Sequence, residues 1–309
     1  MKCWILYKRT QAEISPEAYE INHLLDRAAK HGVEACVVKP DQVELIVTRE
    51  GSRSILLDGE PTEVPDFVLP RMGAGTTYFA LAVIRHLERL GVHCINSAAS
   101  IEAVKDKLLT QQILAAQNLP VPKTMLVKFP VDSHLVEKHL GFPVVVKSLS
   151  GSQGKGVFLS ESRKSFADLV QLIEASNPTA NIILQEFVSD SYGQDLRVVT
   201  IGGRAIACMK RSSADGDFKA NFSAGGSVEA YELTPEIEWL ALQASSILGL
   251  DIAGVDLLFA GDHFKICEVN SSPGFQGLER CCALDVASEI YQYVNIRLGT
   301  MFEDPPSGV

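Results

Sequence analysis

Short apolar runs alternate with amphipathic stretches from the first residues onward. Residues 3–7 are apolar, 16–31 place apolar side chains at helical spacing, and 35–39 form another short apolar run that ends in Lys39 before Pro40. A period of two that gives way to 3.6 and returns predicts strand, helix, strand. Further on, 44–48 and 54–57 read as a hairpin around Glu50 and Gly51, 67–69 as a strand, and 78–90 as a helix stopped by Gly91. The alternation predicts an α/β unit that closes near Asn96.

A second pattern follows. Residues 100–118 are helical until Pro120 and Pro122, each of which removes a backbone donor and restrains the residue before it. Strands are expected at 125–128, 144–147, 157–159 and 182–187, with helices up to His139 and over 165–175. The last third carries two hairpins, 196–201 with 204–209 around Gly202-Gly203 and 254–259 with 264–269 around Gly261-Asp262, and a helix over 235–248. The polar stretch 212–227 between them has the character of a functional loop. The expected fold class is α/β followed by α+β. Its units are 1–96, 97–187 and 188–302, with a frayed tail at 303–309.

Composition narrows the function. With 46% hydrophobic and 21% charged residues, the 309-residue chain can fill these cores and does not read as disordered. A net charge of -10 without any basic tract argues against a nucleic-acid partner. No apolar stretch reaches the roughly 18 residues of a membrane span. The first apolar run is too short for a secretory leader, so the expected location is cytoplasmic. Seven cysteines with no C-x-x-C pair predict reduced thiols, and none of the seven histidines has metal or triad spacing. No G-x-G-x-x-G follows the first strand, which argues against a dinucleotide-dependent dehydrogenase, and no G-x-S-x-G supports a serine nucleophile.

The sharpest constellation is Asp256 with Glu268 and Asn270. Glu268 and Asn270 lie two apart on a strand and share a face; a turn centred on Asp262 would set Asp256 opposite Glu268. Adjacent carboxylates repel unless a cation lies between them, and an all-oxygen donor set selects Mg²⁺ or Mn²⁺ over zinc. The alternative is a pair of solvated edge residues. Lys147 ends a strand of three valines and precedes a turn with Gly151, Gly154 and Gly156, whose amides and ammonium suit an anion. The G-K-[ST] ending of a phosphate-binding loop is missing. Glu186 and Asp195 could hold a nucleotide. Around Gly202-Gly203, a two-residue turn would put Lys210 opposite Asp195 and Arg211 on the other face, as strand-surface charges.

In their order these stretches resemble the ATP-grasp ligases, the RimK-like subfamily in particular. The matching residues run from Leu69-Pro70-Arg71-Met72-Gly73 through Lys105-Asp106-Lys107, Val145-Val146-Lys147 with the glycine turn, Gln185-Glu186-Phe187 and Gly193-Gln194-Asp195-Leu196-Arg197 to Glu268-Val269-Asn270-Ser271-Ser272-Pro273-Gly274. The resemblance implies an ATP-grasp fold with an N-terminal Rossmann-like domain. It implies ATP as co-substrate and two Mg²⁺ (or Mn²⁺) ions on Asp256, Glu268 and Asn270. ATP would be held by Lys107, Lys147, Gly151, Gly154, Gly156, Glu186, Phe187, Asp195, Lys219 and Asn221, with Arg211 as the catalytic arginine. Arg71, Lys219, Asn221, Gly225 and Gly226 would meet the substrates.

The implied reaction makes an amide through an acyl phosphate, with L-glutamate as the amine. The Asn221-Phe222-Ser223-Ala224-Gly225-Gly226 form of the loop is closer to relatives that use small carboxylates than to ribosomal-protein ligases, which tend to carry His and Arg there. The expected acceptor is therefore a small carboxylate or short peptide. A protein C-terminus and a non-catalytic, synapsin-like ATP-binding role are the alternatives, and a homo-oligomer is compatible with the family.

Overall fold

The computed structural model describes residues 1–49, 54–149, 156–214, 216–220 and 225–299. The first unit contains β1 (Lys2–Leu6), α1 (Tyr19–Ala28), β2 (Glu34–Val38), β3 (Val43–Leu45), β4 (Ile55–Leu57), β5 (Glu60–Pro61), β6 (Phe67–Pro70), α2 (Tyr78–Arg89) and β7 (His93–Cys94). Its main sheet is parallel, in the order β2-β1-β6-β7. Cys3 and Ile5 face α1, whereas Trp4 and Leu6 face α2. Cover on both faces explains why this strand reads as an unbroken apolar run. β3 and β4 pair antiparallel as expected, and their turn lies outside the described residues.

The expected single helix over 100–118 is two helices, α3 (Ala98–Lys105) and α4 (Lys107–Ala116). The break falls at Asp106, whose extended backbone ends α3 while its Oδ1 accepts from Leu108 and Leu109 N–H at 2.9 and 3.0 Å. An aspartate that caps a helix competes with the helix running through it. Next come β8 (Thr124–Val127), α5 (Ser133–His139), β9 (Val144–Ser148), β10 (Val157–Ser160), α6 (Arg163–Ser176) and β11 (Ile182–Glu186). Their antiparallel sheet has the order β10-β9-β11-β8, with α5 and α6 packed on Val144, Val146 and Leu184.

The final unit is an antiparallel sheet ordered β14-β13-β12-β15-β16, built from β12 (Gln194–Ile201), β13 (Arg204–Ser212), β14 (Ser227–Tyr231), β15 (Ile252–Ala260) and β16 (His263–Asn270). α7 (Pro235–Ile247) covers one face of it, against Leu196, Val198, Val255 and Leu257. The sequence reading did not anticipate β14, a half-exposed edge strand, or the closing helices α8 (Gln276–Cys282) and α9 (Val286–Leu298). Among the described residues no helix is long and apolar enough to cross a membrane.

Two bulges set the register that matters. Between β12 and β13 the pairing shifts at Val199/Thr200, so Asp195 lies opposite Arg211, and Lys210 opposite Leu196. This corrects the expected Asp195–Lys210 pairing: an extra residue exchanges the faces of everything beyond it. In the second hairpin the turn is Gly261-Asp262, because Ala260 pairs with His263; a bulge at Cys267 then restores the expected opposition of Asp256 and Glu268. The pairing was right, but the bulge produces it and a turn centred on Asp262 does not.

Candidate active site

The face of the large sheet opposite α7 is divided. Toward one end, Val199, Ile201 and Met209 enter a core shared with Ile5, Leu24 and Phe67 of the first unit. Toward the other, alternation along the bulged strands brings Asp195, Arg197, Arg211, Asp256 and Glu268 onto the same face. Arg197 donates to both oxygens of Asp256 at 2.7 Å. Arg211 donates to both oxygens of Asp195 at 2.7 and 2.6 Å, and its second guanidinium contact reaches Asp256 at 3.0 Å. The result is a buried chain of two carboxylates and two guanidiniums in fork geometry.

The four groups are not electrostatically equal. Burial pushes the carboxyl of Asp256 up, but Arg197 and Arg211 outweigh it and hold its pKa below the usual range. Among the described residues Asp195 has only Arg211 as a close ion partner; burial dominates there and, with the nearby Asp256 charge adding, lifts its pKa to about 6. Burial disfavours the Arg211 cation, but the two carboxylates raise its pKa nevertheless. Asp195 is thus the group in the chain that takes up a proton first.

The arginines alter the argument for a metal. The sequence reading supposed that only a cation could relieve Asp256 beside Glu268, whereas Arg197 and Arg211 already balance Asp256. Room for an ion remains. Three of the roughly four lone-pair positions of the Asp256 carboxylate are used. Glu268 makes no ion pair among the described residues. The Asn270 amide nitrogen points to the Gly254 carbonyl at 3.5 Å, which turns its oxygen the other way. Three oxygen-bearing groups therefore keep unused lone pairs, the donor set that fits Mg²⁺ or Mn²⁺.

Across a cleft lie the lysines. Lys107 and Gln111, one turn apart on α4, line it with Lys147 of β9, Gln185 of β11, and Cys267 and Glu268 of β16. Lys147 Nζ lies 3.6 Å from the Cys267 sulfur, and burial pushes that thiol's pKa up against the pull of the ammonium. Gln111 donates to the Cys267 carbonyl at 3.0 Å, while its buried Oε1 has no partner among the described residues. Gln111 and Cys267 were missed in the sequence, and Gln185 and Arg197, though part of the family-like stretches, were given no site role. The available signals were the four-residue step from Lys107, the two-residue step from Asp195, and the strand neighbours of Glu186 and Glu268.

Other expected site residues are placed as follows. Glu186 ends β11 with its carboxylate against the Lys265 ammonium, and Phe187 packs edge-on to Tyr192 at 6.1 Å. Lys219 bridges toward the small sheet, its Nζ 3.4 Å from the Val157 carbonyl, and it does not share a partner with Arg71. Arg71, at the end of β6, is 7% exposed; it donates to the Pro273 carbonyl at 2.6 Å and lies over the Phe275 ring. No carboxylate pairs with it among the described residues, its Nε is unpartnered, and burial lowers its pKa. Gly156 takes a left-handed φ of 77° where the glycine turn rejoins β10, and Gly225 one of 94° just ahead of β14. Gly226 follows in the approach to β14. Gly151, Gly154 and Asn221 lie outside the described residues.

Comparison with known proteins identifies the family. Residues 1–101 match the RimK PreATP-grasp domain and residues 104–294 the RimK-like ATP-grasp domain. A probable alpha-L-glutamate ligase of Maridesulfovibrio salexigens is 37% identical over 279 residues, covering 90% of this chain and 92% of its own. One from Legionella pneumophila is 34% identical over 281 residues, covering 91% and 92%. Among solved structures, the ATP-grasp ligase PsnB complexed with minimal precursor superposes with a TM-score of 0.73 at 19% identity, over 96% of this chain and 98% of that one. A RimK domain ATP-grasp protein from Sphaerobacter thermophilus gives 0.71 at 21%, over 95% and 99%. Cleft, fold and relatives converge: the chain belongs to the RimK-like ATP-grasp family and is a carboxylate-amine ligase.

Proposed function

We propose that this ligase joins L-glutamate, as the amine, to a small carboxylate or short peptide, with ATP cleaved to ADP and phosphate. One observation carries the phosphoryl-transfer part: Lys107 and Lys147 share a single cleft with Glu268, whose strand pairs with that of Asp256. Cations on one wall and carboxylate oxygens on the other suit a polyphosphate that arrives with divalent metal. Glutamate as the donor is supported by the names of the relatives at 37% and 34% identity.

The chain's own groups act by placement and charge. Lys147 and Lys107 draw the phosphates into the cleft, and an acceptor carboxylate oriented toward the γ-phosphate attacks it to give an acyl phosphate. Arg211, held on two sides by Asp195 and Asp256, presents a fixed guanidinium to the charge that builds up as the amine adds and phosphate leaves. Asp256, Glu268 and Asn270 would hold the metal, which when bound neutralises phosphate charge. Arg71 is the candidate partner of an acceptor carboxylate, because a buried guanidinium with no carboxylate in direct contact among the described residues favours an anionic ligand. Lys219, whose Nζ lies against the Val157 carbonyl of the small sheet, is the other candidate anchor.

The second reading is a protein or peptide acceptor; the structural neighbour PsnB was solved with a precursor. The test is incubation with ATP, Mg²⁺ and labelled glutamate, first with small di- and tricarboxylates and then with a cell extract, following the label by mass. Label on small acids is expected. Label found only on protein would overturn the small-acceptor reading, and no incorporation in either arm would overturn glutamate as donor.

A further inference from the structure

Asn96 occupies an unusual position between the units. It follows β7, is 1% exposed, and its side-chain amide makes three short hydrogen bonds into the last unit. Its Oδ1 accepts from Ile252 N–H at 2.8 Å, and its Nδ2 donates to the Ile252 carbonyl at 2.7 Å and to the Ser271 carbonyl at 2.8 Å. Ile252 opens β15, four residues before Asp256, and Ser271 follows Asn270 directly.

The geometry has a simple cause. The β15–β16 ladder ends at the pair Gly254–Asn270, so two residues further on Ile252 would have its N–H and C=O facing the vacated side of the strand. An asparagine side chain carries the same donor and acceptor as a peptide group, and Asn96 supplies both where β16 has turned away. One amide therefore fixes the start of the Asp256 strand and the exit of the Asn270 strand relative to each other. The first unit grips the exit segment twice more, through Arg71 on the Pro273 carbonyl and Glu20 on the amides of Phe275 and Gln276 at 3.1 and 3.4 Å.

We propose that Asn96 is the positioning residue of the metal site: through it the N-terminal unit sets the separation of Asp256 from Glu268 and Asn270. The proposal rests on the reading of those three residues as metal ligands, and it adds that the cage is completed from a unit that contributes no ligand. Removing a hydrogen-bonding support behind metal ligands typically weakens the metal by about 10- to 100-fold.

The experiment is direct Mn²⁺ binding in the presence of ADP, read from the loss of the free Mn²⁺ spin-resonance signal, without turnover. Asn96→Asp keeps the acceptor for Ile252 N–H and loses both donated bonds. A Mn²⁺ dissociation constant raised about 10-fold or more is expected. The control is Tyr291→Phe, which loses another buried bond between the units, Tyr291 Oη to the Leu24 carbonyl at 3.0 Å, and should leave the constant where it was. Equal Mn²⁺ affinity in wild type and Asn96→Asp would overturn the proposal, and a matching loss in Tyr291→Phe would reduce Asn96 to a general stabiliser. If Asn96→Asp does not fold, amide exchange in the wild type decides: Mn²⁺ with ADP should slow exchange at Ile252, Phe275 and Gln276, and no change there overturns the idea. Wild type that fails to bind Mn²⁺ with ADP removes the ligand reading and this proposal together.

Discussion

The two walls of the cleft handle charge in opposite ways. On the large sheet each buried acid is met by an arginine from a neighbouring strand, so Asp195, Arg211, Asp256 and Arg197 are largely balanced before any ligand arrives. On the small sheet Lys147 extends beyond three buried valines, and among the described residues no carboxylate pairs with it. The difference separates two tasks. A balanced wall keeps its geometry through a reaction, whereas a half-buried lysine with no carboxylate partner among the described residues waits for an anion. Glu268 is the large sheet's exception, and it faces the lysines.

The largest expected effect tests that exception. Glu268→Ala should lower ATP-dependent turnover by roughly a thousandfold, the scale of losing a preorganised electrostatic group, with little change in melting temperature because no ion partner is stranded. Turnover near wild type would remove the oxygen cage from the account.

Asp256→Ala should behave differently although the two residues face each other. Its loss of turnover should be no greater than that of Glu268→Ala, but it would also strand Arg197 and Arg211, at a cost of about 3–5 kcal/mol in denaturant unfolding. Equal stability of the Glu268→Ala and Asp256→Ala variants would break the distinction between balanced and waiting groups.

Asp195 gives a pH signature. Its carboxyl is raised by burial from 3.8 to about 6, so the unfolded chain releases this proton first, and the group's contribution to stability is present below about pH 4 and lost as pH rises through 6. At about 1.4 kcal/mol per pH unit, wild type should lose about 3 kcal/mol relative to Asp195→Asn between pH 4 and 7. A slope of the opposite sign would mean that Arg211 outweighs burial at this site.

Lys147→Met should have the mildest consequence. Loss of one charge-assisted contact, about 1.5–3 kcal/mol, should raise the ATP concentration for half-maximal rate some 10- to 100-fold and leave stability unchanged or improved. A variant that binds ATP normally would relocate the phosphates.

Much of this architecture was legible in the chain. The alternation of apolar runs marked the parallel sheet because β1 is buried on both faces, and the spacing of Glu268 and Asn270 marked a shared strand face. What stayed hidden was whatever a bulge decides. The extra residues, Ile206 opposite the Val199/Thr200 step and Cys267, set which side chains oppose, and neither is a glycine or proline that would announce it. Half of the arginine balance of Asp256 was hidden for the same reason, since Arg211 reaches its side through the bulged β12–β13 register, whereas Arg197 lies opposite Asp256 in a regular ladder between strands far apart in sequence. Asn96 closed the first unit in the sequence reading; its reach to Ile252 and Ser271 spans 156 and 175 residues, beyond any local pattern.

The central claim is that the two walls hold ATP so that a carboxylate takes its γ-phosphate. The most direct measurement follows oxygen: an accepted carboxylate carrying heavy oxygen is turned over with ATP and glutamate, and the released phosphate is weighed. Attack by the carboxylate predicts one heavy oxygen in each phosphate and one fewer in the amide product. Phosphate without heavy oxygen, alongside amide formation, would contradict the account.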